Sequence, residues 1–487
     1  MFKKILSAFL AVCMLGSVAV VAASAEETPE KTFNYVALGD SIAAGYGLSE
    51  PVNGLDPALI LSEDLIADPV KEAYAYVLGE RLAELGAEYG CTTTATNLAS
   101  TAYRAEDVAA TITTPGFKGG VATSILEGFV GKGASAALVP YHDIYNKYLP
   151  NADMVSIQLG GNDIVMGIIY PVYAMNNPIL TNAGLSVTLL LFGLPADQAI
   201  GYGVQQLIKQ KDSITKEQVA EAAKYMASIV KDSEKFVQNA ANNVEGVVNA
   251  VRGVNPTADI ALVGMYNPYG NSLEYDGQVR DVCHVVQNIF ARAASEVFDC
   301  NISVGGLQLN TEDAEEKAEE LDDIADELTK TPFKEICKAK VQALVTIAAE
   351  EMAYPIQYLT AGKSSDPQMK LLNSLLQDIA VRNDATYVNV YDISNECNTD
   401  PHPTAKGHKE IADRLEATMM DKILSRMDPT QTENNGNLTI ENVTTVQRYL
   451  AEFDIEGAKL KLADFSGDGT VNIADVTAMQ RALAEIA

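Results

Sequence analysis

The 487-residue chain carries 65 Asp and Glu against 35 Lys and Arg, a formal charge of -30. That field repels nucleic acid and anionic membranes, and no basic patch offsets it, so nucleic-acid binding is excluded as an expectation. With 47% apolar and 21% charged residues the chain can bury a large core, and it is too long for one typical domain.

The N-terminus reads as a processing segment. Lys3 and Lys4 precede the mostly apolar Ile5–Ala23, and Ala23-Ser24-Ala25 is a small-x-small cleavage site. This predicts a signal peptide over 1–25, secretion, and no membrane span once the leader is removed. Cys13 leaves with the leader. Cys91, Cys283, Cys300, Cys337 and Cys397 remain, an odd set in which Cys283 and Cys300 form a candidate pair.

Residues 33–42 read as a strand and its turn, with Val36-Ala37-Leu38 broken by Gly39-Asp40 and followed by Ser41. Helical periodicity runs over 70–89 (Ala73, Tyr76, Val77, Leu82, Leu85) and ends at Gly90. Thr92–Leu98 reads as a second strand and Tyr103–Ile112 as a helix. Met154–Leu159, Ile260–Met265 and the shorter Ala385–Val390 complete the strands. Strands separated by helical stretches predict an α/β fold, a three-layer doubly wound, mostly parallel sheet. Insertions are expected near 164–250 and 307–380. The first holds the apolar tract Leu185–Leu194, too short and proline-broken for a membrane span. It reads either as an extra buried helix or as a lid lining the site. The second holds an acidic helix, Glu312–Glu327, and a more apolar one, Ile336–Met352.

A serine nucleophile needs a base, an orienting group and donors for the oxyanion, gathered at one edge of a parallel sheet. Small and polar residues follow the predicted strands: Ser41, then Asn97-Leu98-Ala99-Ser100-Thr101-Ala102, then Gly160-Gly161-Asn162-Asp163, then Asp400-Pro401-His402-Pro403. With only 4 His in the chain, the search for a base is short. His402 is stiffened by its flanking prolines and has Asp400 two residues before it. His142 and His284 have no acid at convincing spacing, and His408 reads as helix-start packing. Asp40 and Asp163 read as turn supports that accept backbone N–H bonds.

These blocks, in this order, resemble the SGNH (GDSL) hydrolases over roughly residues 33–422. The resemblance implies a doubly wound α/β sheet and hydrolysis of carboxylic esters. It implies Ser41 as nucleophile, His402 as base, and an oxyanion hole from the N–H groups of Ser41 and Ala102 with the side-chain amide of Asn162. The family usually has glycine where Ala102 stands. Many members place the orienting acid three residues before the histidine, which is Thr399 here, so either Asp400 or a backbone carbonyl orients His402. No metal or organic cofactor is implied for this step.

After residue 427 the composition shifts. A polar linker over 428–437 leads to repeats over 438–487, in which Ile440–Glu452 recurs at constant offset as Ile473–Glu485. Asp464, Ser466, Asp468, Thr470, Asn472 and Asp475 fall at the oxygen-ligand positions of a calcium loop, with Gly469 at the sharp turn. The equivalent first loop has lost most of its carboxylates. The module resembles a dockerin, which implies a small all-α domain binding Ca2+ and a cohesin domain of a scaffoldin as partner. The whole chain then reads as a secreted serine ester hydrolase working through an acyl-enzyme on plant cell-wall polysaccharide. The alternatives are a lipase-like esterase on acyl lipids, and a non-catalytic cell-surface or scaffold-associated binding protein in which Ser41 and His402 lie far apart.

Overall fold

The computed structural model describes residues 31–49, 63–117, 141–191, 195–266, 277–302, 304, 314–330, 338–352, 362–393, 402–427, 443, 444, 447, 450 and 472–486. Its contacts divide the chain into two compact units. One gathers Met1–Phe33, Arg81–Thr94 and Ile423–Ala487; the other gathers Asn34–Glu80 and Ala95–Lys422.

In chain order the elements begin with β1 (Lys31–Gly39), α1 (Ser41–Ala44), α2 (Glu63–Ala67), α3 (Tyr74–Glu88), β2 (Cys91–Asn97) and α4 (Ala105–Thr113). There follow α5 (Tyr141–Tyr148), β3 (Met154–Gln158), α6 (Gly161–Ala174), α7 (Pro178–Leu191), α8 (Ala196–Gln210), α9 (Lys216–Lys231), α10 (Ser233–Val254) and β4 (Asp259–Val263). The chain continues through α11 (Gly277–Phe298), α12 (Ala314–Lys330), α13 (Lys338–Glu351), α14 (Gly362–Arg382), β5 (Thr386–Val388), α15 (Ala405–Met427) and α16 (Ile473–Ile486).

The five strands form one sheet in the order β2-β1-β3-β4-β5. β1 pairs with β3, β3 with β4 and β4 with β5, all parallel. Side chains alternate between faces along a strand, yet Val36, Ala37 and Leu38 are all buried, as is every residue of β3. Both faces of the sheet are therefore covered, which is the three-layer arrangement the continuous apolar runs predict. Each such Leu or Ile contributes about 1.5–3 kcal/mol relative to exposure. The hydroxyl of Ser156 within β3 is matched by Tyr35 Oη at 2.8 Å. Gly39 ends β1 opposite Gln158. A Cβ there would lie 2.4 Å from Ala43 Cβ and 3.0 Å from the Gln158 carbonyl oxygen, so only glycine fits.

α10 shows how its sequence specifies its place. Val237, Ala240, Ala241, Val244, Val247, Val248 and Val251 recur at helical spacing and are all buried. That face meets α4, α6 and α14, and α14 in turn contacts β4 and β5. Thus residues 233–250 and 362–380, inside the expected insertions, belong to helices of this layer. The remaining inserted helices, with α11 and part of α6, share a single apolar core that runs from Met166 to Met352. Residues 185–191 of the apolar tract supply the end of α7, with Val187 and Leu190 buried in that core, and residues 192–194 lie outside the described residues. The acidic α12 packs on α9, where Lys231 meets Asp322 at 2.7 Å. Both partners are nearly half exposed, so this pair contributes little beside the apolar contacts. Cys283 and Cys300 are not a pair. Cys283 is on α11 and Cys300 just past its end, so the helical rise separates them by roughly 25 Å, far beyond disulfide reach.

His408 lies on the buried face of α15 with Ile411, Ala412, Leu415 and Met419. Its Nδ1 accepts a 3.1 Å bond from the backbone N–H of Tyr74, one of the donors that the first turn of α3 leaves without an intrahelical partner. The packing role read for it from sequence is thus a specific bond. Its Nε2 is buried without a hydrogen-bond partner. Burial, with a smaller contribution from His402, pushes the His408 pKa down from 6.5 to about 4. The unfolded chain therefore binds the extra proton, and stability falls as pH drops from about 6.5 to about 4. The loss is roughly 3–4 kcal/mol at about 1.4 kcal/mol per pKa unit. His408→Asn, whose Oδ1 can still accept from Tyr74, is expected to flatten this acid slope in urea unfolding measured across that range. An unchanged slope would contradict it.

Candidate active site

The strand order reverses between β1 and β3: the chain leaves β1 toward β2 on one side and β3 toward β4 on the other. In an open parallel sheet this is where a crevice opens at the carboxyl ends of the strands. Asp40 and Ser41 follow β1, and Gly160, Asn162 and Asp163 follow β3.

Asp40 caps the short α1. Its Oδ1 accepts from the Ile42 N–H at 3.0 Å, which is the support role read from the sequence. It is 2% exposed. Burial pushes its pKa up to about 7, the Ile42 N–H and the charge of His402 oppose that rise, and Asp163 adds to it. Ser41 is 8% exposed. Its Oγ lies 2.8 Å from His402 Nε2. His402 is carried on the turn before α15, with Thr404 capping that helix through the Gly407 N–H.

The segment after β2 stays pinned beside β1. Leu98 N–H bonds to the Ala37 carbonyl and Ser100 N–H to that of Gly39, while the Asn97 amide donates to the Ala43 carbonyl at 2.7 Å. Tyr103 N–H then closes a turn on the Ser100 carbonyl at 3.2 Å. Ala102 is the third residue of that turn and has φ +63. Glycine is favoured there because an L side chain crowds the following carbonyl in this region. Ala102 therefore occupies this conformation under strain.

Asn162, in the first turn of α6, donates one amide hydrogen to the Tyr103 carbonyl at 3.0 Å, leaving its second to point elsewhere. This bond ties the β3 end directly to the Ala102 turn. Asp163 completes the tie. Its Oδ2 accepts from the Ala105 N–H at 2.8 Å and its Oδ1 from the Asn243 amide at 3.0 Å. Burial raises the Asp163 pKa, and these two donors together with Arg104 pull against that rise.

The structure therefore brings Ser41 to His402 and Asn162 to the Ala102 turn. Asp400 lies outside the described residues, as do Asp464, Ser466, Asp468 and Thr470. Asn472 directly precedes α16 and Asp475 lies within it. Among the described residues no group of three or more His, Cys, Asp or Glu could hold a metal, and no helix is long and apolar enough to cross a membrane. His142 sits apart, with Nδ1 at 3.0 Å from the Thr111 carbonyl. Two residues escaped the sequence reading. Asn243 is an amide on the otherwise apolar face of α10, and Tyr46 presents its ring to His402 at 5.1 Å between centroids. The polar interruption of an apolar stripe was a usable signal for Asn243. Tyr46 offered only its place between two glycines.

No protein-family model and no curated protein matches the chain. Among solved structures it is similar to the phospholipase A1 from Streptomyces albidoflavus NA297, at 13% identity and TM-score 0.32, over 79% of this chain and 99% of that one. It is similar to an extracellular lipase from Streptomyces rimosus, at 13% identity and TM-score 0.29, over 78% and 98%. A lipase from a goat rumen metagenome matches at 10% identity and TM-score 0.32, over 79% and 97%. The chain's own strand order and parallel register define its doubly wound α/β fold.

Ala102→Gly is expected to stabilise the protein by about 0.5 kcal/mol. Relief of the left-handed strain, roughly 1–2 kcal/mol, exceeds the unfolded-chain entropy that glycine adds, roughly 0.4–1 kcal/mol. Urea unfolding checks this, and a clear loss of stability would show that the turn does not hold Ala102 in that conformation.

Proposed function

We propose that this chain is a secreted serine ester hydrolase of the SGNH type. The observation that carries the reading is the 2.8 Å contact between Ser41 Oγ and His402 Nε2, at the sheet edge where Asn162 and the strained Ala102 turn also meet. A hydroxyl is a weak nucleophile until a base within hydrogen-bond reach can take its proton.

In this reading Ser41 Oγ attacks the ester carbonyl carbon while its proton passes to His402 Nε2. The negative charge that develops on the carbonyl oxygen is met by the N–H groups of Ser41 and Ala102 and the Asn162 amide, donors already fixed before the reaction. The tetrahedral intermediate collapses, the C–O bond to the alcohol breaks, and His402 returns the proton to the departing alkoxide. Water then repeats the sequence on the acyl-enzyme, releasing the acid and restoring Ser41. Asp400, or a backbone carbonyl in its place, holds the other ring nitrogen of His402.

For substrate, the reading takes acyl groups on plant cell-wall polysaccharide, supported by the leader-like N-terminus and the calcium-loop repeats of the C-terminal sequence. Asp464, Ser466, Asp468, Thr470, Asn472 and Asp475 would hold Ca2+ and shape a surface for a cohesin. A second reading, esterase action on acyl lipids, is favoured by the apolar helical body built on α7, α8 and α9. A non-catalytic role is disfavoured by the Ser41–His402 distance, since a binding protein has no need of it.

The deciding experiment is an ester panel running from acetylated xylan and acetyl esters to long-chain acyl esters, with Ser41→Ala as control. Wild type is expected to favour the acetyl substrates, and Ser41→Ala to lower kcat by roughly 10^4-fold or more. Preference for long chains would move the substrate to lipid, and no Ser41-dependent hydrolysis would overturn the enzyme reading. For the tail, the full-length protein should bind an immobilised cohesin in calcium and elute with chelator. Retention that is indifferent to calcium would contradict the calcium-loop assignment.

A further inference from the structure

We infer that Tyr46 is a positioning residue for the base, its ring backing the His402 imidazole so that Nε2 stays on Ser41 Oγ and the imidazolium formed in the reaction is stabilised. The inference rests on the reading of Ser41 and His402 as nucleophile and base.

The geometry begins with one carbonyl. α1 ends at Gly45, which takes the left-handed conformation with φ 80 and ψ 33. This turns the chain back, so that the Tyr46 N–H bonds to the Ser41 carbonyl oxygen at 3.0 Å. Gly47 follows with φ 82. The backbone of Tyr46 is thereby hung on the backbone of Ser41 by a direct hydrogen bond. Its side chain is partly buried and its ring meets that of His402 at 5.1 Å between centroids, inclined by 47°. The nucleophile and the ring behind the base are placed by the same turn.

A tyrosine ring carries negative charge density on its face, and a cation positioned over that face within about 6 Å of the centroid is attracted to it. Neutral imidazole gains ordinary aromatic contact; imidazolium gains more. The difference raises the affinity of His402 for the Ser41 proton and resists rotation of the ring away from Oγ. Other groups also bear on His402. Asp40, buried at the cap of α1, and His408, buried on α15, both interact with it electrostatically, while Asp163 acts on Asp40. Ser41 Oγ is its hydrogen-bond partner. These remain when Tyr46 alone is changed, and Tyr46→Phe separates the ring from the hydroxyl.

The test follows the His402 titration by NMR in 13C-histidine-labelled protein, with the resonance assigned by His402→Gln, alongside ester hydrolysis. Tyr46→Leu is expected to lower the His402 midpoint, because the ring that favours the imidazolium is gone. The acidic limb of kcat/KM should move down with it. kcat should fall roughly threefold to fivefold while KM stays unchanged, and Tyr46→Phe should behave as wild type. A fluorinated phenylalanine at position 46 keeps the shape and weakens the ring's negative face. It should shift the midpoint in the same direction even if Tyr46→Leu does not fold. A wild-type midpoint in the variants, or a change confined to KM, would overturn the inference. Hydrolysis that proves independent of Ser41 would instead bring down the enzyme reading, and the titration would still decide whether the ring stabilises the imidazolium.

Discussion

The hydrogen bond between Ser41 and His402 joins residues 361 positions apart, and the α/β unit can be understood as the means of making it. Ser41 is held at the end of β1 by the α1 cap, and His402 by the start of α15. Neither anchor alone fixes the distance. α1 is tied to the sheet through Gly39, whose missing side chain lets Ala43 approach β1 and the β3 carbonyl lie close behind. α15 is tied through His408, whose buried ring accepts the first N–H of α3. The contact thus depends on apolar burial acting through short polar links.

The side of the site that carries Asn162 and Ala102 is built differently. It is held by a chain of polar bonds, from Asn243 through Asp163 to Ala105, and from Asn162 to Tyr103. Each acceptor is largely shielded from water, where such bonds are stronger and an unmatched partner is costly. The Ala102 turn is pulled into its left-handed conformation within this lattice. Strain there is tolerated because the bonds on either side over-determine the backbone. The Ser41 side rests mainly on packing and the Asn162–Ala102 side mainly on hydrogen bonding, so the two should respond separately to mutation.

Much of this could be read from sequence because β1, β3 and β4 are buried on both faces over most of their length and are written mainly in apolar residues. β5 was harder: it spans only Thr386–Val388, and the apolar residues Val390 and Ile393 beyond it are buried without being strand. The inserted helices were legible as helices, but not their partners. α7 and α9 carry apolar residues that would suit many neighbours, and only the fold shows them closing one core with α11. At the site, Ser41 and His402 could be found from residue type, scarcity and order. The dihedral of Ala102 could not, since alanine gives no local sign of a left-handed turn. Nor could the bond between Asp163 and Asn243, because residues 80 apart pair only after α10 has crossed over the sheet.

The central claim is that His402 activates Ser41 in the folded protein. Its most direct measurement is covalent labelling with a fluorophosphonate, followed over pH, with the adduct located by mass spectrometry. The account predicts a single adduct on the peptide containing Ser41, formed faster as the base loses its proton, and slowed by roughly 10^2-fold or more in His402→Gln. An adduct on another serine, or equal labelling of Ser41 with and without His402, would contradict it.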